Sequence, residues 1–282
     1  MSAVSASAAV RSRLNYLKHA GSTPYNYTFD PPDGGPWQNC EYDPREMPIA
    51  NAREFICAPA LDACGFELVD APTRVRDFGD PRQIEQIYYR EMQAAALQAT
   101  GGREAFVFDH MLRRREPDRR PMTFGRHPDH VQGSTPGPAG RVHNDYTEAS
   151  GKRRLAAVLG DEASRAVRGR YCIVNVWRST SGPVLDAPLA VCDGRSVAPQ
   201  DLVPSEIRYP NRTGEVYLMR HNPAHRWAYF HELETTEAIV FKQFDSVPGP
   251  TRFTPHSAFE HPDTPPDAPL RESIETRVLV LF

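Results

Sequence analysis

A mainly β fold of the jelly-roll type, with flanking helices laid against one sheet, is predicted by three features of the sequence. The second half is a succession of short strand-forming runs joined by turn-rich connections. Helical periodicity is concentrated earlier in the chain. The 27 prolines, mostly in the first and last thirds, favour long ordered loops over a helical bundle. A chain of 282 residues is enough for one large domain, and a single domain over 1–282 is the expectation.

In chain order, residues 1–50 read as an irregular arm. The run Tyr25 to Trp37 is full of turn formers, with aromatics able to pack onto a core. Such an arm either staples the fold or covers a site. Phe55 to Cys57 and Gly65 to Val69 are short apolar pieces at strand or helix edges. Asp80 is a natural helix N-cap, Pro81 suits the first helical position, and Gln83 completes a capping-box pattern. Ile84, Ile87, Tyr88, Met92 and Ala95 then follow at helical spacing, a packing stripe rather than a cofactor site, and Gly101-Gly102 ends the helix.

Glu104 to Leu112 reads as a strand in which His110 is structural. Arg113 to Arg120 is a solvated turn or a basic cluster able to hold an anion. Gly125 to Gly140 is too rich in Gly and Pro for regular structure and has the length of a lid. Two short helices (150–159 and 161–167) precede strands at 170–178, 189–192, 216–219, 237–244, 251–259 and 273–282. The jelly-roll core is placed at 105–282.

Charged residues make up 24% and hydrophobic ones 40%, an ordinary globular composition. A net charge of -3 offers no basic excess for nucleic acid. No run is long or apolar enough for a membrane span or a signal peptide. The five cysteines are irregularly spaced with no Cys-x-x-Cys, which suits reduced thiols and a cytoplasmic location. The partner expected is a small-molecule substrate, with a homodimer possible.

The chemistry centres on Arg141-Val142-His143-Asn144-Asp145-Tyr146, directly after the Gly/Pro-rich loop. If this stretch is extended, His143 and Asp145 share a face. One imidazole and one carboxylate are two thirds of a facial triad for non-haem iron(II). The plain alternative is a hydrogen-bonded pair at a strand end. For the third ligand, Pro223 breaks any helix that would join His221 to His225, and His231 follows an aromatic run. His127 and His130 sit in the loop, and His261 lies in a Pro-rich turn. His256, in an extended piece 111 residues after Asp145, is the best candidate. Fifteen residues later Arg271 and Ser273 again share a face, and a guanidinium beside a hydroxyl suits a carboxylate. The alternative for Arg271 is a surface salt bridge with Glu272 or Glu275.

This ordered set resembles the iron(II)/2-oxoglutarate oxygenases, and more closely the hydroxylase/desaturase family of secondary metabolism. That family includes gibberellin desaturase-like proteins, fungal pathway hydroxylases and a component of cephamycin methoxylation. The resemblance is carried by the 142–146 stretch, Ile173-Val174-Asn175-Val176-Trp177-Arg178, Trp227-Ala228-Tyr229-Phe230, residues 237–246, Pro255-His256-Ser257-Ala258-Phe259 and residues 269–277. It covers about 105–282 well and the arm loosely. Ser257 and Glu260 stand where a threonine and an aspartate are expected, neither a ligand position.

The resemblance implies a double-stranded β-helix core, iron(II), 2-oxoglutarate as co-substrate and dioxygen. It implies that His143, Asp145 and His256 bind the metal, and that Arg271, assisted by Ser273, holds the distal carboxylate of 2-oxoglutarate. Asn175 and Trp177 share a strand face that looks into the pocket, or are a structural amide and a core aromatic. Val131, Tyr146, Trp227, Tyr229 and Phe230 are the substrate-side candidates. The expected reaction is hydroxylation, desaturation or another oxidation of a small natural-product-like metabolite. Asp145 speaks against a halogenase, which needs that carboxylate's position vacant. Two other readings stay open: an iron-dependent oxidase or endoperoxidase that does not consume 2-oxoglutarate, and a non-catalytic partner of a pathway methyltransferase.

Overall fold

The computed structural model describes residues 9–19, 22–118, 135–249 and 251–282. Along them run β1 (Ala9–His19), β2 (Tyr25–Tyr27), β3 (Glu41–Asn51), β4 (Phe66–Asp70), β5 (Glu104–Arg114), β6 (His143–Asn144) and β7 (Tyr171–Ser179). There follow β8 (Leu189–Cys192), β9 (Leu202–Arg208), β10 (Thr213–Met219), β11 (Trp227–Tyr229), β12 (Glu237–Asp245), β13 (His256–Ala258) and β14 (Glu272–Leu281). Nine form one sheet in the order β1-β3-β11-β8-β13-β6-β10-β9-β2, and five form a second, β4-β12-β7-β14-β5. The large sheet curls back on itself, since Asn15 of β1 bridges Arg141 and Leu17 bridges Arg220.

Where the sequence suggested an irregular arm, the structure has two eleven-residue strands, β1 and β3, paired antiparallel, plus β2. Pro44 and Pro48 disguise β3, because proline removes a ladder donor. They are tolerated because the second neighbour of β3, β11, pairs only with Ile49, Ala50 and Asn51. The arm staples the fold. Leu14, Tyr16, Met47 and Ile49 pack with Val142, Cys192 and Trp227 in one buried cluster.

The helical segment 81–100 covers the outer face of the small sheet, with Tyr88, Met92 and Ala96 against Val174, Val176, Val240 and Val278. Asp80 caps it by accepting from Arg82 N at 3.0 Å. Gln83 does not close the capping box; its Oε1 accepts instead from the backbone of Arg76 and Asp77. Gly101, with φ +70°, terminates it. His110 lies on this outer side, hydrogen-bonded to Tyr89.

The space between the sheets is apolar at both ends and polar between them. Along the inner face of β7 come Tyr171 and Ile173, packed with Phe244 and Leu279, then Asn175, then Trp177, packed with Val191, Phe230 and Phe241. Burial of the two apolar zones supports the sheets, at roughly 25 cal/mol per Å² removed from water. The interruption at Asn175 marks the site. The expected strand at 251–259 shrinks to His256–Ala258, because Phe253 to Pro255 depart from the ladder to meet Asn144 and Lys242.

Candidate metal centre

His143 and His256 sit on adjacent strands of the large sheet in direct register, β6 against β13. Their side chains are 3% exposed and their ring centroids 4.3 Å apart. Each ring is oriented from behind. His143 Nδ1–H donates to the Arg141 carbonyl at 2.9 Å, and His256 Nδ1–H to the Thr254 carbonyl at 3.4 Å. That tautomer leaves both Nε2 lone pairs facing the space between the sheets. Asp145 adds a carboxylate, with Oδ1 3.5 Å from His143 Nε2. One donor atom from each of the three residues lies within 4.8 Å of the others.

The chain fixes these groups from several directions. Asn144, turned away from the metal side, donates to Gln243 O and Tyr146 O and accepts from Thr254 N. Gln243 Oε1 accepts from Asp145 N at 2.7 Å. Two residues beyond Asp145, Thr147 caps the helix Glu148–Leu159 through a capping box with Ser150. Upstream, Arg141 is buried, donating to Tyr42 Oη at 2.7 Å and Asn26 Oδ1 at 2.9 Å, while Asn15 Nδ2 donates to Gly140 O.

The small sheet closes the site from the other side. Asp145 Oδ2 accepts from Asn175 Nδ2 and from Arg277 Nε, each at 2.9 Å. Arg277 also donates to Asp109 at 2.7 Å and Glu275 at 3.1 Å. Burial alone would raise the Asp145 carboxyl; Arg277 and the two imidazoles outweigh it and hold it well below the ordinary carboxylate range. Oδ2 is thus engaged by the protein and Oδ1 is left for a metal. The amide oxygen of Asn175 is buried with no hydrogen-bond partner among the described residues.

Burial, together with the neighbouring His256, pushes His143 down to about 4, so at neutral pH the ring keeps its Nδ1 proton and carries no charge. An unfolded histidine titrates near 6.5. Between those values the unfolded chain takes up a proton that the folded one refuses. Stability from this residue is complete above about pH 6.5 and is lost as the pH falls toward 4. The metal-free protein is expected to lose about 2 kcal/mol between pH 7 and pH 5 from this source. Urea midpoints for the protein and its His143→Asn variant check it. An equal fall in both would remove His143 as the cause.

Arg271 and Ser273 lead into β14, with Arg271 Nε donating to Ser273 Oγ at 3.2 Å and Nη1 to the Ala187 carbonyl. The guanidinium is 5.0 Å from the Trp177 ring centre. It is buried, and no carboxylate among the described residues pairs with it, neither Glu272 nor Glu275. Asn175 and Trp177 share the inner face, while Arg178 points to the helical side and donates to Ala71 O.

Other candidates are dispersed. Tyr146 packs against Phe108 next to the donor set. Trp227 donates to Tyr16 Oη on the far face of the large sheet. Tyr229 bonds His261 and lines a separate cavity of about 550 Å³. Phe230 is in the core beside Phe66. Val131, His127 and His130 lie outside the described residues. His225 is engaged by Asp201 and Tyr16, His221 packs on Tyr16, and His231 faces Glu232. Sequence reading missed the roles of Arg277 and Glu275. Both were within reach: Arg271, Ser273, Glu275 and Arg277 alternate along one strand.

Two imidazoles and one carboxylate on a rigid frame form the donor set of a non-haem iron(II) site. The family described as oxidoreductase/YMDC permease-like domain matches residues 14–281. The Fe(II)/2-oxoglutarate-dependent dioxygenase nvfI of Aspergillus novofumigatus is 30% identical, over 90% of this chain and 89% of that one. The chain belongs to the iron(II)/2-oxoglutarate-dependent dioxygenase family. The hydroxylase/desaturase CTB9 of Cercospora beticola is 32% identical over 92% of this dioxygenase and 86% of CTB9. The solved structure of the iron and alpha-ketoglutarate-dependent endoperoxidase NvfI superposes with a TM-score of 0.84 at 27% identity, covering 96% of this chain and 97% of that one. The dioxygenase is thus an enzyme of secondary-metabolic type with the jelly-roll fold, using iron(II), 2-oxoglutarate and dioxygen. No helix among its described residues is long and apolar enough to cross a membrane.

Proposed function

We propose that this dioxygenase, acting as a single domain over residues 1–282, holds iron(II) through His143, Asp145 and His256. Arg271 and Ser273 receive the distal carboxylate of 2-oxoglutarate. The observation that carries this reading is the pairing of a three-donor cluster with a buried guanidinium that has no carboxylate partner among the described residues. A buried unpaired charge is costly, so an anionic ligand is what this end of the site is built for.

When bound, iron(II) with the 2-oxoacid and dioxygen supplies oxidation of an unactivated C–H bond. The protein's share is placement. Asn175 and Arg277 hold Asp145 by one oxygen, Arg141 and Thr254 orient the imidazoles, and Trp177 shields the guanidinium from water. The substrate is a small natural-product-like metabolite, approaching beside Tyr146 and Phe108, and the outcome is hydroxylation or desaturation. Endoperoxide formation is the second reading, since the structural relative NvfI is an endoperoxidase. A cytoplasmic location and a homodimer complete the proposal. The non-catalytic reading loses its footing, because relatives over most of the chain are enzymes and the donor set is complete.

Anaerobic addition of iron(II) and then 2-oxoglutarate tests the site. The weak visible band of the 2-oxoacid chelate is expected, with a measurable loss of 2-oxoglutarate affinity in Arg271→Gln. A protein that binds iron without developing that band would sink the co-substrate assignment. Succinate counted per product separates the two oxidative outcomes.

A further inference from the structure

The inner face of the small sheet carries a further feature that the proposed function does not use. Arg113, near the end of β5, lies directly opposite Ser273 in the β5–β14 ladder. Directly opposed residues of antiparallel strands share a face, with Cβ atoms about 5 Å apart. Arg113 and Arg271 therefore emerge on the same face, on either side of the Ser273 hydroxyl that accepts from Arg271.

The charges on this face do not cancel locally. Arg277 is matched by Asp145, Asp109 and Glu275. Glu275 is committed to Arg277, with its other oxygen 3.9 Å from His256 Nε2. The arginines that follow Arg113 have carboxylates: Arg114 pairs with Glu272 and Arg115 with Glu260. Arg113 pairs with none among the described residues, and its guanidinium donates only to the Gly137 carbonyl, at 2.8 Å. Two guanidinium charges are left side by side. Burial first, and then the charge of Arg113, pulls Arg271 down to about 9, with Glu275 and Asp186 offsetting only part of the fall.

We propose that Arg113 and Arg271 together form a two-guanidinium receptor for the distal carboxylate of 2-oxoglutarate, and that Arg113 sets the preference for a dicarboxylic 2-oxoacid. This rests on the reading that Arg271 takes that carboxylate. A carboxylate has about four lone-pair sites, enough for a two-bond fork from one arginine, a single bond from the other and one from the Ser273 hydroxyl. A monocarboxylic 2-oxoacid would reach the metal with its ketoacid end but leave both guanidinia unpaired.

The test uses the full chain loaded with manganese(II) in place of iron(II), so that no turnover occurs, and no organic substrate. Calorimetric titrations compare 2-oxoglutarate with 2-oxovalerate, which lacks the distal carboxylate. Arg113→Gln is expected to weaken 2-oxoglutarate by about 10–100-fold, the range of a lost charge-assisted hydrogen bond. Binding of 2-oxovalerate stays within about twofold, and Arg113→Lys recovers part of the loss. Equal weakening of both acids overturns the proposal and makes Arg113 a tether for the segment around Gly137. Unchanged 2-oxoglutarate affinity overturns it too and leaves a carboxylate on the organic substrate as the ligand. Arg271→Gln separates the two levels: if it also leaves 2-oxoglutarate unaffected, the co-substrate reading itself fails. Should Arg113→Gln not fold, the ratio of the two affinities in Arg113→Lys decides, with a severalfold fall expected and an unchanged ratio counting against the proposal.

Discussion

Changing His256 to Ala is expected to lower iron(II) affinity by more than about 100-fold, beyond the range for losing a group that merely supports a ligand. His256 supplies one of three donors, and no other histidine among the described residues can take its place. His225 is engaged by Asp201, and His221 packs edge-on against Tyr16 at the far face of the sheet. The metal-free variant should fold, because a smaller side chain at the polar centre creates no strain and relieves crowding between two imidazoles. Competition with a chelating dye gives the affinity, and far-UV circular dichroism gives the fold. Wild-type iron binding in a folded His256→Ala protein would move the third ligand elsewhere.

Arg277→Gln should have the second largest effect although the side chain supplies no metal donor. It is only 12% exposed and engages three carboxylates. Its removal leaves Asp145 and Glu275, 10% and 7% exposed, without their countercharge. Breaking a buried pair by deleting one partner costs about 3–5 kcal/mol. Iron(II) affinity should fall about 10–100-fold, because Oδ2 of Asp145 loses one of its two donors and the carboxylate is free to turn. Bound metal restores part of the stability by neutralising those charges. Arg277→Lys keeps the charge but loses the fork, so it should recover stability more than affinity. If Arg277→Gln matched the parent in both chelator competition and urea midpoint, the clamp on Asp145 would have no energetic role.

The donor set was legible because its elements are local. His143 and Asp145 are two apart on an extended stretch, and His256 and Arg271 lie on later strand signals. What joins them was not legible. Nothing near residue 143 announces that Arg141 is gripped by Tyr42 and Asn26. Two prolines hid β3, since a strand with one partner along most of its length obeys weaker rules than a central one. The aromatic run at 227–230 shows a different difficulty. Alternation puts Trp227 and Tyr229 on one face and Phe230 on the other, but only the sheet order tells which face looks toward the metal. Arg277 and Glu275 were readable by the same alternation that picked out Arg271 and Ser273.

The double anchoring of the 140–145 stretch also has a consequence for how the chain is made. Its upstream supports are residues 15, 26 and 42, and its downstream ones are residues 175, 243, 254 and 277. On a ribosome the first strands emerge long before β11 exists to pair with β3, so the apolar faces of Leu14, Tyr16 and Ile49 wait uncovered. The clamp that fixes Asp145 cannot close until Arg277 of β14 is free of the exit tunnel. Iron therefore joins a finished scaffold rather than nucleating it, and yield of the protein during synthesis should respond to chaperones and temperature more than to iron supply.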